Sequence, residues 1–140
     1  MSRKIVAGNW KMNGFGQEGL SQISKISKKA HQQNLGVEVI ICPPAILIVE
    51  AKRILLGSSV KLGGQDCHYA SKGPHTGDIS AEMLADAGSS YVIVGHSERR
   101  QFYNETNTDV NLKSLQLINN NIVPIICIGE SLEEKENGKT

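Results

Sequence analysis

The sequence lacks an excess of charge of either sign. Fifteen lysines and arginines stand against fourteen aspartates and glutamates, so the formal net charge of the 140 residues is +1. Proteins that bind nucleic acid or anionic membranes present strongly basic surfaces, so we expect neither partner. No apolar run approaches the roughly 20 residues that span a bilayer. The polar start Met1-Ser2-Arg3-Lys4 precedes too short an apolar run for a secretory signal, so we expect none.

The sequence is also poor in cysteine, with only Cys42, Cys67 and Cys127, which are odd in number and widely spaced. Such usage predicts reduced thiols and a cytoplasmic location. No C-x-x-C or H-x-x-x-H spacing occurs, although Cys67, His68 and His75 lie in one segment. Zinc requires three or four converging ligands, so we expect no metal site and interpret these residues as loop histidines and a half-buried thiol.

What the sequence does contain is a regular series of short apolar runs rich in β-branched residues, which are typical of buried strands. These runs are Ile5–Ala7, Val37–Cys42, Val60–Gln65, Tyr91–Val94 and Ile122–Ile128. Successive runs start about 23 to 32 residues apart, which is the separation that parallel βα units require. The sequence therefore predicts an α/β chain with five parallel strands.

Helical patterns fill the segments between these strands. They run from Leu20 to Ala30, from Ala45 to Leu56, from the N-cap Ser80 to Ala87, from Ser97 to Phe102, and onward from a cap at Thr108. Asn34 with Gly36 is expected to end the first helix, and Gly88 the third. The order is thus four βα units followed by a fifth strand.

The strands are nearly continuous apolar runs, which predicts burial on both faces of the sheet. The helices can cover one face, and nothing else in the 140 residues is left to cover the other. Five uncovered parallel strands would expose an apolar face and two unpaired edges. Either the sheet is doubly wound, or the chain forms part of a closed barrel whose remainder lies outside these residues.

One stretch concentrates reactive side chains directly after a strand. Gly95 ends the fourth apolar run, and His96, Ser97, Glu98, Arg99 and Arg100 follow it. In α/β folds the carboxyl ends of strands are where ligands bind. A helix beginning near Ser97 would direct its amino-terminal dipole at His96, which favours a neutral imidazole able to donate a hydrogen bond to a substrate oxygen. Alternatively, His96 only caps the turn.

Four motifs in this chain resemble the triosephosphate isomerase family. They are Ala7-Gly8-Asn9-Trp10-Lys11-Met12-Asn13, Thr76-Gly77-Asp78-Ile79-Ser80, Val94-Gly95-His96-Ser97-Glu98-Arg99-Arg100 and Cys127-Ile128-Gly129-Glu130. The resemblance implies a TIM barrel, of which residues 1–140 would form a single incomplete domain holding strands one to five. It also implies an enzyme of glycolysis and gluconeogenesis that interconverts dihydroxyacetone phosphate and glyceraldehyde 3-phosphate without a cofactor.

The resemblance assigns roles to four residues near the strand ends. Lys11 matches the lysine whose ammonium attracts the substrate phosphate and the developing enediolate charge. Asn9 matches the asparagine that lies against the substrate. His96 matches the electrophile that polarises the carbonyl, and Glu98 matches a carboxylate at the rim of the site, expected to pair with Lys11.

The resemblance further implies a homo-oligomer, a dimer in most of the family. Thr76, flanked by His75 and Gly77, matches the residue that reaches into a partner subunit and braces its site. We therefore expect these three residues to lie at a subunit interface.

The chain departs from the family in length. The family barrel needs roughly 250 residues, whereas the present sequence has 140. In the family, the glutamate base follows the sixth strand, and the lid and the phosphate-binding loops come later still. We therefore expect the 140 residues to be a fragment that is inactive by itself.

Two other functions fit parts of the sequence. Residues Gly14 to Gly19 match G-x-G-x-x-G, and Glu38 lies about 20 residues on, as in dinucleotide-binding folds. However, four residues separate Asn9 from Gly14, and Glu38 falls near the start of its strand, so a simple glycine-rich connection is favoured. The second alternative is a non-catalytic half-barrel that buries its bare sheet against a copy of itself.

Overall fold

The computed structural model describes residues 4–33, 36–130 and 132–139, which form an α/β chain. The strands are β1 (Ile5–Asn9), β2 (Glu38–Cys42), β3 (Lys61–Gly64), β4 (Tyr91–Val94) and β5 (Val123–Ile126). The helices are α1 (Gly16–Gln33), α2 (Ile48–Ile54), α3 (Ala81–Ala87), α4 (Ser97–Tyr103), α5 (Asn107–Asn119) and α6 (Leu132–Glu136), and a 3-10 turn (Ala45–Leu47) precedes α2. None of the described helices combines the length and the apolar character that crossing a membrane requires.

The five strands form one parallel sheet in the order β1-β2-β3-β4-β5. Asn9 pairs with Cys42 at the carboxyl ends of β1 and β2, and Val94 pairs with Ile126 at those of β4 and β5. Parallel crossovers are almost always right-handed, so strands added in sequential order keep every helix on the same face. A doubly wound sheet reverses its order at a switch point. The sequential order therefore selects the barrel wall over the doubly wound alternative.

Two apolar clusters lie on opposite faces of this sheet. The larger cluster packs alternate strand residues, including Ile41, against the helices. The smaller lies on the inner face and contains Ile40, Cys42, Tyr91 and Ile93, with Ile125 and Cys127 packed against it. Neighbouring residues of β2 thus enter different clusters, because side chains alternate along a strand. The expected burial on both faces is therefore found in β2 and β4.

The two outer strands differ from the three central ones. Ile5 and Val6 of β1 and Val123 and Ile126 of β5 are about half exposed, whereas all four residues of β4 are buried. Within the described residues, β1 and β5 each pair with one neighbouring strand. Their outer edges therefore leave apolar side chains and backbone hydrogen-bonding groups accessible.

The helix boundaries follow local capping chemistry. The predicted cap is present at Ser80, whose Oγ accepts a hydrogen bond from the N–H of Met83 at 3.2 Å. Gly88 ends α3 in the left-handed conformation with φ of 105°, also as predicted. The predicted end of α1 at Asn34 lies outside the described residues.

The prediction that Thr108 caps α5 was wrong, because Thr106 does so. Its Oγ1 accepts from the N–H of Asp109, and Asp109 Oδ2 accepts from the N–H of Thr106 at 2.8 Å. This reciprocal capping box needs an acid three residues after the cap. Asp109 meets that requirement for Thr106, whereas Asn111 stands three residues after Thr108. The fifth strand is also shorter than predicted, and it ends at Ile126 rather than Ile128.

Candidate active site

The residues predicted to act in catalysis come together at the carboxyl edge of the sheet. Asn9 is the last residue of β1, Lys11 follows it by two positions, and His96 follows the end of β4 by two. Because the strands are parallel, their carboxyl ends share one edge. A cavity of about 250 Å³ lies there, lined by Asn9, Lys11, Gln65, His96, Glu98 and Tyr103 among others.

His96 is the N-cap of α4. Its Nδ1 accepts a hydrogen bond from the backbone N–H of Glu98 at 3.2 Å. An imidazole nitrogen that accepts a hydrogen bond carries no proton, so the neutral ring holds its proton on Nε2. The two sequence interpretations of His96 are therefore compatible, because capping through Nδ1 is what makes Nε2 the donor.

Lys11 and Glu98 form an ion pair at the rim of the cavity, as the resemblance implied. The Nζ of Lys11 lies 2.8 Å from Oε1 of Glu98, and the two side chains are 52% and 42% exposed. The hydrogen bond from the Lys11 ammonium holds the pKa of the Glu98 carboxyl below its usual range. The second carboxylate oxygen of Glu98 lies 3.5 Å from Nδ1 of His96. Glu98 thus stands between the ammonium and the imidazole.

The backbone of Lys11 is in the left-handed region, with φ of 54°. For a residue other than glycine this conformation is strained and persists only where its surroundings enforce it. Part of that enforcement comes from Asn9, whose Oδ1 accepts the N–H of Lys11 at 2.9 Å. The placement of this one lysine therefore has a conformational cost.

A second charged cluster lies next to the cavity and was not predicted from the sequence. Lys113 contacts both carboxylate oxygens of Asp66, at 2.9 and 3.0 Å, and also pairs with Glu105. Arg99 adds a contact of 2.8 Å to Asp66. Burial alone would lower the pKa of Lys113, but the hydrogen bonds to Glu105 and Asp66 outweigh it and raise that pKa. We call these four residues the buried charge cluster.

Arg100 connects the ends of two strands beside His96. Its Nε donates to the carbonyl of Gly95 at 2.8 Å, and it also donates to the carbonyl of Cys127 and to the side chain of Asn107. A larger cavity of about 560 Å³ opens at this point, beyond β4 and β5. The guanidinium therefore fixes the loop that carries His96 relative to the end of β5.

The segment predicted to contact a partner subunit is the loop between β3 and α3. Thr76 and Gly77 are exposed, whereas the ring of His75 is half-buried and stacks on His68 with centroids 3.9 Å apart. Potential ligand atoms of His68, His75 and Asp78 lie within 4.8 Å of one another. The rings are nonetheless stacked, and Nδ1 of His68 accepts the N–H of Ala70. The two histidine rings therefore lie face to face, and one nitrogen of His68 is already engaged by the backbone.

Two of the three glycines of the G-x-G-x-x-G match, Gly14 and Gly19, have packing roles. A Cβ at Gly14 would lie 2.9 Å from the Trp10 ring, and one at Gly19 would lie 2.9 Å from Leu47. Glu38 begins β2, at the edge opposite the cavity, and accepts a hydrogen bond from the hydroxyl of Tyr91. Both observations argue against a dinucleotide site, whose first glycine ends the strand and whose acid lies at the ligand edge.

The sequential parallel strands, with an ammonium, an imidazole and a carboxylate at their carboxyl ends, define the class of βα-barrel proteins with a site on that rim. The comparison with known families makes the assignment specific. The triosephosphate isomerase family model matches residues 4–140, and the chain belongs to that family. The fold expectation is thereby confirmed.

Individual relatives agree with this assignment. The chain is 46% identical over 140 residues to a triosephosphate isomerase of Alkaliphilus oremlandii and covers 56% of that protein. It is 50% identical over 140 residues to one from Ruegeria pomeroyi and covers 55% of it. The crystal structure of triosephosphate isomerase from Bartonella henselae superposes with a TM-score of 0.90 at 44% identity, over 99% of this chain and 57% of that one. The chain thus spans about half the length of the relatives that it matches.

Proposed function

We propose that this chain supplies the amino-terminal half of a triosephosphate isomerase site. As part of a complete barrel, it would interconvert dihydroxyacetone phosphate and glyceraldehyde 3-phosphate through an enediolate, without a cofactor. The observation that carries this proposal is the joint placement of Lys11, Glu98 and His96 on one cavity. The family assignment supports it.

The proposed mechanism divides the work between two side chains. The Nε2–H of His96 donates to the carbonyl oxygen of the substrate and polarises it, because Nδ1 is occupied by the cap of α4. The ammonium of Lys11 attracts the substrate phosphate and then stabilises the charge that develops on the enediolate. Asn9 lies against the substrate at the end of β1, beside the lysine that it braces. Without substrate, the ammonium of Lys11 pairs with Glu98. With substrate bound, the same ammonium would contact both Glu98 and the substrate.

The proton on carbon requires a further carboxylate. The resemblance assigns this base to a segment after a sixth strand, and general-base catalysis contributes about 10²–10⁴-fold. We therefore propose that the 140 residues bind the triose phosphate weakly and do not turn it over. Turnover above a buffer control in a coupled assay of the purified chain, abolished by His96→Gln, would contradict this.

A titration with dihydroxyacetone phosphate tests the binding role directly. In heteronuclear NMR spectra, the amides of Asn9, Lys11 and His96 should shift on addition of the ligand. The variant Lys11→Met should raise the apparent Kd measured from the shifts at Asn9 and His96 at least about tenfold, because a charge-assisted contact is lost. Lys61→Met is the matched control, because Lys61 is exposed at the start of β3, at the opposite edge. Equal effects of the two substitutions would refute the proposed role of Lys11.

We also propose that the chain forms a homo-oligomer through the loop that carries His75, Thr76 and Gly77. In support, Thr76 and Gly77 are exposed, and large exposed apolar side chains are available to a partner at Met12 and Phe15. Thr76→Arg should shift the chain toward monomer in light scattering. Thr108→Arg, at an exposed position of α5, should not.

Self-association through the open sheet is a second candidate, favoured by the half-exposed apolar residues of β1 and β5. It predicts association that Thr76→Arg leaves intact. A monomer that stays soluble at high concentration would exclude it.

For location we propose the cytoplasm, supported by the free thiols of Cys42, Cys67 and Cys127. Burial raises the pKa of Cys42 and of Cys67 to about 12, which keeps both protonated and unreactive.

A further inference from the structure

Gln65 contacts the backbone of Lys11 from a neighbouring strand. It follows the last residue of β3 directly, and its side-chain amide donates to the carbonyl oxygens of Lys11 and of Cys42, both at 2.9 Å. The Cys42 carbonyl also accepts the N–H of Trp10 at 3.1 Å. One carboxamide therefore joins the segment after β1 to the ends of β2 and β3.

These contacts act on the strained residue of the site. The N–H of Lys11 is held by Asn9 Oδ1, and its carbonyl is held by Gln65 Nε2. Both backbone polar groups of Lys11 are thus hydrogen-bonded to side chains rather than to the backbone of a helix or a neighbouring strand. A left-handed φ at a lysine needs such external restraint, because the residue would otherwise relax to negative φ. Such a relaxation would turn the lysine side chain away from its present direction.

We propose that Gln65 is a positioning residue, which holds Lys11 in its left-handed conformation and thereby keeps the ammonium beside Glu98 and His96. The chemistry of the side chain fits this task. A primary amide supplies two N–H donors, and Gln65 uses both on carbonyl oxygens. Methionine has similar length but no donor, and asparagine has the donors but lacks one methylene. The functional consequence, placement of a substrate-binding cation, rests on the proposed function.

The competing interpretation is that Gln65 only ties β2 to β3. The two interpretations differ in what happens to the ion pair between Lys11 and Glu98. If Gln65 positions Lys11, losing the amide moves the ammonium away and the pKa of Glu98 rises toward its ordinary value, because the Lys11 hydrogen bond is what lowers it. If Gln65 only joins strands, that pKa stays where it is as long as the sheet is intact.

The test is an NMR comparison of the unaltered chain with Gln65→Met and Gln65→Asn. For Lys11, three-bond N–H to Hα couplings and Cα shifts report φ, and a carbon-detected titration reports the pKa of Glu98. Both variants should return Lys11 to negative φ and raise the Glu98 pKa. Gln17→Met, at an exposed position in the first turn of α1, is the matched control and should change neither.

An unchanged Lys11 coupling and Glu98 pKa in a folded variant would overturn the proposal. If Gln65→Met fails to fold, Gln65→Asn decides. The unaltered chain provides a further measurement, because both side-chain amide protons of Gln65 should exchange slowly with solvent. Rapid exchange of both would likewise overturn it.

A parallel titration with dihydroxyacetone phosphate separates this inference from the proposed function. Gln65→Met should weaken ligand-induced shifts at His96 to a similar degree as Lys11→Met. If the unaltered chain shows no ligand-induced shift, the proposed function fails. The Lys11 coupling and the Glu98 titration would still decide the role of Gln65, since neither measurement involves substrate.

Discussion

Two lysine–carboxylate contacts of nearly equal length serve opposite purposes in this chain. Lys11 meets Glu98 at 2.8 Å with both side chains about half exposed, whereas Lys113 meets Asp66 at 2.9 Å with its own side chain only 8% exposed. Water screens the first pair, so the pair contributes little to stability and its members can exchange partners. The second is enclosed, so removing the lysine leaves two carboxylates, Asp66 and Glu105, with Arg99 as their remaining nearby cation. Burial, rather than contact distance, therefore distinguishes the exposed ion pair at the candidate site from the enclosed ion pair within the fold.

Removing the cation of the buried charge cluster should have the largest effect. Lys113→Met removes the nearest cation of Glu105, whose side chain is 4% exposed, and leaves only the longer contact of 3.6 Å to Arg99 among the described ion pairs. The free energy of unfolding should fall by about 3–5 kcal/mol, as measured by urea denaturation. Lys28→Met, on the exposed side of α1, is the matched control and should change it by less than about 0.5 kcal/mol. A loss below about 1 kcal/mol at Lys113 would show that the enclosed charges are not decisive.

The strain at the rim gives the next largest effect, and of opposite sign. Lys11→Gly removes the cost of left-handed φ, so the free energy of unfolding should rise by about 1 kcal/mol relative to Lys11→Met. Both variants lack the ammonium, so their difference isolates the backbone. If the glycine variant is no more stable than the methionine variant, the left-handed conformation is not costly here.

The rim pair should lose its stabilising contribution in acid. The pKa of Glu98 is lowered in the folded chain, so its stabilising contact with Lys11 is fully present above the ordinary glutamate pKa. That contribution is lost as pH falls through the lowered value. A carbon-detected titration should therefore find the pKa of Glu98 below the ordinary glutamate value, and Lys11→Met should raise it toward that value. An ordinary pKa of Glu98 in the unaltered chain would contradict the ion pair.

The smallest expected effect is on the stability of the two ion pairs at alkaline pH. The pKa of Lys113 is raised in the folded chain, so its contribution is fully present below the ordinary lysine pKa and is lost as pH rises through the raised value. A titration followed at the lysine Nζ should therefore place the pKa of Lys113 above the ordinary lysine value. A Lys113 pKa below the ordinary lysine value would mean that burial outweighs its carboxylate partners.

The strand framework could be predicted from the sequence because it depends on local signals. Apolar runs such as Tyr91–Val94 and caps such as Ser80 and Gly88 are set by neighbouring residues, and the regular βα spacing leaves few possible topologies. The cap at Thr106 was missed although its signal is local. That signal is an acid three residues after the threonine, and Asp109 stands there for Thr106.

The site was predictable in part. Motif resemblance named Asn9, Lys11 and His96, and the structure brings them to one cavity. The buried charge cluster was not predictable, since Asp66 and Lys113 are 47 residues apart and belong to no shared pattern. Gln65 was seen only as the end of a strand, because its function depends on a backbone conformation that sequence patterns do not reveal.

The histidine that caps α4 links the hydrogen bonding of its ring to helix order. A proton placed on Nδ1 of His96 would remove the acceptor for the N–H of Glu98, leaving the first turn without its cap. Loss of this acceptor would therefore loosen α4 from its amino-terminal end, starting at the residue whose carboxylate pairs with Lys11. The proton on Nε2 of His96 and the first turn of this helix therefore depend on the same hydrogen bond.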